Sequence, residues 1–216
     1  MPQVFHRSMN TLSRVSIVGL VLLIGGLGYL AWAVNQSPYY SRTKLQILQP
    51  VPFSHKHHTM DDGIDCRYCH TSVENSSFAG LPPTETCMTC HSQIWTNSVM
   101  LEPVRASYAT GQSLEWARVN ALPDFVYFNH SIHVKKGIGC TTCHGQLGEM
   151  PITWKQNTLY MRWCIDCHKH PERYVRKRDD VFKAVYDAPN DQIAMGRQLV
   201  KEYKIRSLIT CDTCHR

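Results

Sequence analysis

The stretch FVYFNHSIHVKKGIGCTTCHG, residues 125–145, contains two histidines three positions apart and then a Cys-x-x-Cys-His cluster. Thiols and an imidazole at this spacing suit a zinc ion, a redox-active dithiol or a covalently attached group. The rest of the 216-residue chain decides between them, because the cluster occurs five times. Numbered motif 1 to motif 5 along the chain, the clusters contain Cys66, Cys69 and His70; Cys87, Cys90 and His91; Cys140, Cys143 and His144; Cys164, Cys167 and His168; and Cys211, Cys214 and His215.

The five motifs use all ten cysteines of the chain. Cys-x-x-Cys-His is the attachment motif of c-type haem. On one helical turn the two thiols lie on the same face, where they can form thioethers with the haem vinyl groups while the histidine reaches the iron. A zinc site would take four ligands at a time and gives no reason for a histidine after every pair. We therefore predict five covalently attached haems and no disulfides.

The N-terminal part contains the uncharged run VSIVGLVLLIGGLGYLAWAV, residues 15–34. At about 1.5 Å per residue, a helix of this length spans roughly 30 Å, the hydrocarbon thickness of a bilayer. Arg7 and Arg14 precede it, so the positive-inside rule places residues 1–14 in the cytoplasm and residues 35–216 on the periplasmic side of the inner membrane. A cleaved signal peptide is the alternative, because AWA at 31–33 resembles a cleavage site. We favour the anchor, since the apolar run exceeds a signal-peptide core.

The haem-binding part contains an internal repeat. Residues 53–58 read FSHKHH before motif 1, and residues 128–133 read FNHSIH before motif 3; a further motif follows each. Two copies of a two-haem unit are thus predicted, the first repeat at 53–91 and the second repeat at 128–168. The linker 92–127 joins them, and a C-terminal segment, 169–216, carries motif 5.

The Phe-x-His-x-x-His signatures and paired motifs resemble the small multihaem cytochromes of the cytochrome c3 and c7 kind. The resemblance implies that the first histidine of each signature binds the haem attached just downstream, and that the second binds another haem. His55 is then a ligand at motif 1 and His130 at motif 3. His58 and His133 serve two of the other three haems, and the sequence leaves open which two.

One iron remains without a second axial ligand. Thioether sulfur is the other common axial donor and gives a higher reduction potential than a second histidine. Met150 lies in a loop before a proline, and Met161 lies one helical turn before motif 4, so we expect one of them to bind this iron. His57 and His170 remain alternatives, and a lone methionine otherwise usually packs in a core.

The predicted fold is mainly α and irregular, of the multihaem cytochrome c kind, with little or no sheet. Short helices should form at each motif, and an amphipathic helix should begin near Asp191. In the linker, helical spacing of apolar residues from Ile94 should be interrupted at Pro103. The charged run ERYVRKRDD, residues 172–180, should be solvated surface; pairing with haem propionates or with a docking partner is the alternative. The formal charge of +6 is offset by haem propionates, and nothing indicates nucleic-acid binding.

The anchor, the five motifs and the segments LPDFVYFNHSIHVKKGIGCTTCHG (122–145) and LYMRWCIDCH (159–168) resemble the pentahaem cytochrome c subunit of alternative complex III, a quinol:electron-acceptor oxidoreductase. The resemblance implies that a polytopic membrane subunit oxidises quinol. It further implies that an iron–sulfur subunit passes the electrons to the five haems, and that a monohaem cytochrome c, a copper protein or an oxidase accepts them. The chain would be an electron-transfer relay without catalysis of its own.

Two other functions remain open. Anchored multihaem quinol dehydrogenases that feed nitrite reductases oxidise quinol themselves, but they typically carry a methionine just after the first motif, where this chain has Thr71. Multihaem reductases of nitrite or similar oxyanions need an open iron site and a lysine in place of a motif histidine. All five motifs end in histidine, which favours the relay.

Overall fold

The structure is a computed structural model that describes residues 4–215. The chain divides into two units, residues 1–43 and residues 44–216. The α-helices are α1 (Met9–Gln36), α2 (Pro38–Ser41), α3 (Cys66–Cys69), α4 (Thr84–His91), α5 (Glu102–Thr110), α6 (His130–Lys135), α7 (Cys140–His144), α8 (Met161–Lys169), α9 (Gln192–Glu202) and α10 (Cys211–Cys214). A π-helical turn lies at His57–Asp61, and 3-10 turns lie at Val99–Leu101, Leu147–Glu149, Pro171–Arg173 and Arg178–Asp180.

The first unit consists mainly of α1, which has 28 residues and includes the whole predicted span 15–34. It ends where Ser37 turns extended before Pro38, because a residue that precedes proline disfavours the helical conformation. Among the described residues, α1 is the helix long and apolar enough to cross a bilayer, with a mean hydropathy of 2.2. None of its side chains is buried. This helix could therefore anchor the chain in a membrane.

The second unit is built from short helices and long loops. Over the residues described there, β-pairing occurs as isolated bridges, Gln46 with Trp154 and Ile138 with Val175, without a sheet. The prediction of a mainly α and irregular fold is confirmed. Two small apolar clusters border motif segments, since Cys87 packs on the first and Ile138 on the second. The buried members of the clusters are Val51, Leu101 and Val104, and Val175, Leu199 and Tyr203.

Each haem-attachment motif has its own short helix, as predicted: α3, α4, α7, α8 and α10. Side-chain caps explain where two helices in this region begin. Asp65 accepts a hydrogen bond from the backbone N–H of Arg67 at the start of α3, and Asn129 accepts one from Ile132 at the start of α6. The α7 helix ends at His144, and the next residue, Gly145, has a φ of 79°, a conformation that favours glycine.

Two sequence predictions about helices have different outcomes. The amphipathic helix expected near Asp191 is confirmed as α9. The expected interruption at Pro103 is wrong, because α5 begins at Glu102 with Pro103 in its first turn. A proline fits there since the first N–H groups of a helix have no intrahelical partner.

Candidate haem-binding sites

Four pairs of imidazole rings face each other across gaps of similar width. Two imidazoles that bind one metal ion from opposite sides, with metal–nitrogen bonds of about 2 Å, have ring centroids roughly 6 Å apart. All four pairs meet this distance, so an iron ion fits between the rings of each. The centroid distances and interplanar angles are 6.5 Å and 8° for His55 and His70, 6.2 Å and 68° for His58 and His91, 6.4 Å and 5° for His130 and His144, and 6.1 Å and 74° for His133 and His168.

Each pair joins a histidine of a Phe-x-His-x-x-His signature to a motif histidine. The first histidine of each signature lies opposite the motif just downstream, as the resemblance to cytochromes c3 and c7 implied. The second histidine, which the sequence left open, lies opposite the second motif of its own repeat: His58 at motif 2 and His133 at motif 4. The ligand roles themselves stay predictions, which this geometry supports.

A phenylalanine holds the two signature histidines of each repeat. Phe53 packs edge-on against His55, at 4.9 Å and 89°, and flat against His58, at 4.4 Å and 28°. The equivalent Phe128 makes the same two contacts at 4.8 Å and 88°, and at 4.5 Å and 28°. One ring thus packs on two imidazoles that have different orientations, which gives the aromatic residue at the first position of each signature a structural role.

The outer ring nitrogens are oriented by hydrogen bonds. Six Nδ1 atoms lie 2.7–3.3 Å from backbone carbonyl oxygens, namely His58 with Ser54, His70 with Gly80, His91 with Ile94, His130 with Ser77, His133 with Asn129, and His215 with Phe125. The Nδ1 of His55 lies 2.8 Å from the hydroxyl of Thr153. Because a carbonyl oxygen can only accept, Nδ1 must carry the hydrogen, which leaves the Nε2 lone pair free to bind iron.

Asn120 supports the same orientation at motif 3. Its Nδ2 lies 3.1 Å from Nδ1 of His144, while its buried Oδ1 has no hydrogen-bond partner. Rotating the amide by 180° would let Oδ1 accept a hydrogen bond from the Nδ1–H of a ligand histidine. The orphaned oxygen is therefore explained if His144 binds iron through Nε2.

Burial keeps several groups around motifs 1 and 3 neutral. Desolvation, together with the positive charges of neighbouring histidines, lowers the pKa of His55 and of His144 to about 4. Desolvation and neighbouring thiols raise the pKa of Cys143 to about 12. Neutral imidazoles are the form that binds metal, and neutral side chains suit an apolar macrocycle. The residues present thus fit a haem group.

Among residues 4–215, no histidine of a Phe-x-His-x-x-His signature faces His215 of motif 5. The imidazole ring of His215 packs near the ring of Phe125, with centroids 5.7 Å apart. The carbonyl oxygen of Cys214 accepts a hydrogen bond from the backbone N–H of Tyr127. Of the two methionine candidates, Met150 is 1% exposed and its terminal methyl packs against Gly145, whereas Met161 is 62% exposed at the start of α8. The burial of Met150 agrees with a core-packing role, and the choice of Met161 as the ligand stays a prediction.

The two alternative histidines have other partners. The ring nitrogens of His57 lie 3.3 Å from Asp61 and 3.5 Å from Asp62. The Nδ1 of His170 lies 3.7 Å from Glu172. Both imidazoles thus interact with surface carboxylates, which weakens the case for either as the fifth distal ligand.

Arg176 is a buried residue at motif 3 that the sequence did not reveal. The expectation of solvated surface for residues 172–180 is wrong at this position, because Arg176 is 4% exposed. Its Nη2 donates hydrogen bonds to Thr141 and Thr142, which lie between the motif 3 cysteines, and its guanidinium stacks 3.8 Å from the ring of Tyr186. Its buried Nε has no hydrogen-bond partner among the described residues, and desolvation lowers the pKa of the guanidinium. A positive charge therefore lies beside motif 3.

Short helices that carry Cys-x-x-Cys-His motifs, opposed imidazoles and the absence of a sheet over residues 44–215 define a multihaem c-type cytochrome. Residues 132–216 match the cytochrome c3 family, and residues 32–112 match the class III cytochrome C family. A curated relative from Nitratidesulfovibrio vulgaris, the multihaem cytochrome c subunit of menaquinone reductase, is 35% identical over 199 residues, which cover 92% of this chain and 78% of the relative. The chain belongs to the family of this cytochrome subunit.

The two family matches fall on different halves of the chain. The class III match covers the first repeat, and the cytochrome c3 match covers most of the second repeat together with motif 5. This division agrees with the internal duplication in the sequence. As a member of this family, the chain binds haem c covalently and transfers electrons; bound haem supplies a reversible one-electron change at iron.

Proposed function

We propose that the chain is a membrane-anchored relay with five covalent haems, which connects a quinone-reactive membrane complex to a soluble electron carrier. Residues 1–14 lie in the cytoplasm, residues 15–34 span the inner membrane, and residues 35–216 form the periplasmic haem domain. The observation that carries the proposal is the set of four imidazole pairs at 6.1–6.5 Å, each of which includes a motif histidine. Five attachment motifs on one short chain favour transfer between closely spaced irons.

The proposed ligands leave no iron with an open coordination position. A saturated iron gives a substrate no place to bind, so the relay takes and gives single electrons at the haem edge. The lack of an open coordination position in the proposed sites argues against reduction of oxyanions by this chain. The proposed axial pairs are His70 with His55, His91 with His58, His144 with His130, His168 with His133, and His215 with Met161, with Met150 as the less favoured methionine.

Quinol oxidation is the direction that the resemblance to alternative complex III supports. A quinol loses two electrons and two protons to become a quinone, and two single-electron acceptors must each be reduced once. In this proposal a polytopic subunit oxidises the quinol, and an iron–sulfur subunit delivers the electrons to the chain. A monohaem cytochrome c, a copper protein or an oxidase accepts them. A single span such as α1 gives little enclosure for a quinone head group.

The second candidate function is electron transfer towards quinone, because the curated relative is named as a subunit of a menaquinone reductase. In that case electrons would enter from a soluble donor and leave to quinone in the membrane. The axial ligands and the attachment motifs would be the same. The direction would instead follow from the potentials of the haems relative to those of the partners.

The test compares the purified complex with the isolated full-length subunit. In the complex, a menaquinol analogue should reduce the haems faster than a menaquinone analogue oxidises them after chemical reduction. The isolated subunit, once reduced, should pass electrons to a soluble cytochrome but should not be reduced by the quinol. Faster oxidation by the quinone in the complex would support the reductase direction. If the isolated subunit oxidised quinol at the rate of the complex, the chain would be a quinol dehydrogenase rather than a relay.

A further inference from the structure

Motifs 1 and 2 are neighbours in space. Their distal histidines, His55 and His58, lie one turn apart and both pack on Phe53. The hydroxyls of Tyr68 in α3 and Thr89 in α4 lie 2.9 Å apart. The two attachment helices of the first repeat therefore touch directly.

Motifs 3 and 4 are neighbours by the same construction. Phe128 packs on both His130 and His133, which lie opposite the motif 3 and motif 4 histidines. The side-chain amide of Asn157, just before α8, donates hydrogen bonds to the carbonyl oxygens of Thr142 and Cys143. In the second repeat, the segment that leads into α8 is thus bonded to α7.

The two repeats meet through motifs 1 and 3. The Sγ of Cys66 lies 3.3 Å from the carbonyl oxygen of Phe182, and the N–H of Cys140 donates a hydrogen bond of 3.1 Å to the adjacent Val181. The two thiols also lie close enough for each to influence the pKa of the other. The first cysteine of motif 1 therefore lies beside the first cysteine of motif 3, although 74 positions separate them in sequence.

Motif 5 adjoins motif 4. The hydroxyl of Ser207, in the loop before α10, donates a hydrogen bond of 3.0 Å to the carbonyl oxygen of His168. The thiol of Cys214 is close enough to that of Cys164 to contribute to the raised pKa of Cys164, which burial mainly causes. The C-terminal motif thus extends the second repeat on the motif 4 side.

From these contacts we infer that the attachment sites form one row in the order motif 2, motif 1, motif 3, motif 4, motif 5. The inference rests on the proposed relay function. It identifies motif 2 and motif 5 as the two ends of the relay, where electrons enter and leave. Cys90 and Cys211, one at each end, are the two exposed cysteines, while the other eight are partly buried. Each transfer along the row oxidises one site and reduces its neighbour by one electron. The order in space thus differs from the order in sequence.

The experiment injects electrons at one end of the full-length, haem-loaded protein. A ruthenium photosensitiser is attached beside motif 2 through Asn97→Cys, an exposed position. Each flash transfers one electron from the excited label to the protein, and a sacrificial donor in solution restores the label. Two matched variants, His55→Met and His130→Met, give motif 1 or motif 3 a methionine ligand, which raises its potential and adds a weak far-red band. Both proteins also carry Met161→His, so that motif 5 contributes no far-red band of its own. Loss of this band reports arrival of an electron.

The row predicts that the far-red band of the His55→Met protein disappears first and that the band of the His130→Met protein disappears after a lag. A label at the exposed Arg206→Cys, next to the Ser207 that bonds to motif 4 and before motif 5, should reverse this order. Equal timing from the Asn97→Cys label would overturn the inferred order while leaving the relay intact, because electrons would still arrive. Arrival at neither site from either label would overturn the relay function itself.

A second variant keeps the order testable if a methionine variant fails to load its haems. Removing the motif 1 thiols with Cys66→Ala/Cys69→Ala takes away the site that links motif 2 to the rest of the inferred row. Electrons from the Asn97→Cys label should then reduce one haem and stop. Reduction of several haems in this protein would mean that motif 2 has another neighbour and would overturn the order.

Discussion

The two repeats hold their histidines alike but surround them differently. The interplanar angles are 8° and 68° in the first repeat, and 5° and 74° in the second. Between the motif 1 cysteines, Arg67 is at the surface and pairs with Asp65 at 2.9 Å. Between the motif 3 cysteines, Thr141 is buried and binds the buried Arg176. Local sequence therefore sets the ligand geometry, while distant segments set the burial and the charge around it.

The largest expected effect comes from removing motif 3 rather than motif 1. The α7 helix contains a buried residue, whereas α3 has none, so an empty motif 3 site would leave a larger internal cavity. We expect Cys140→Ala/Cys143→Ala to abolish accumulation of folded protein. The matched Cys66→Ala/Cys69→Ala protein should accumulate with four haems. Intact mass and haem staining of denaturing gels measure both, and equal yields would remove the contrast between the repeats.

The second effect distinguishes motif 5 from both repeats. If Met161 binds the motif 5 iron, Met161→His should abolish the far-red band of the oxidised protein and lower the highest reduction potential, since a second imidazole replaces the thioether. The control Met150→Leu should keep the band, because Met150 is buried against Gly145. Optical spectra and potentiometric titration check both variants. A band lost in Met150→Leu and kept in Met161→His would reverse the assignment.

The smallest effect tests the charge difference between the repeats. A buried positive charge disfavours the more positive oxidised state, so Arg176→Gln should lower the potential of the motif 3 haem. The expected shift is about tenfold in the equilibrium constant, which is about 59 mV for a one-electron couple. The exposed Arg67→Gln should shift motif 1 much less, because solvent screens its charge. Arg176→Lys should restore the potential, and an unchanged potential in Arg176→Gln would contradict this role.

The haem chemistry could be predicted from sequence because it depends on short spacings. Cysteines three apart and a following histidine face one way on a single helical turn, whatever the surroundings. The signature histidines are equally local, which is why His55 and His130 lie opposite the expected motifs. Pro103 was misread because a proline interrupts a helix interior but also favours a first turn, and local sequence did not separate the two positions.

The sequence by itself determined the kind of protein, its attachment motifs, its duplication and an apolar helix that could anchor it. Only the tertiary structure decided that His58 lies opposite motif 2, that Cys66 lies beside Cys140, and that Arg176 is buried. These features depend on contacts between segments far apart in the chain, such as Cys66 with Phe182 and Cys140 with Val181. Spacing along the sequence carries no information about such contacts, because they form only when packing brings the repeats together.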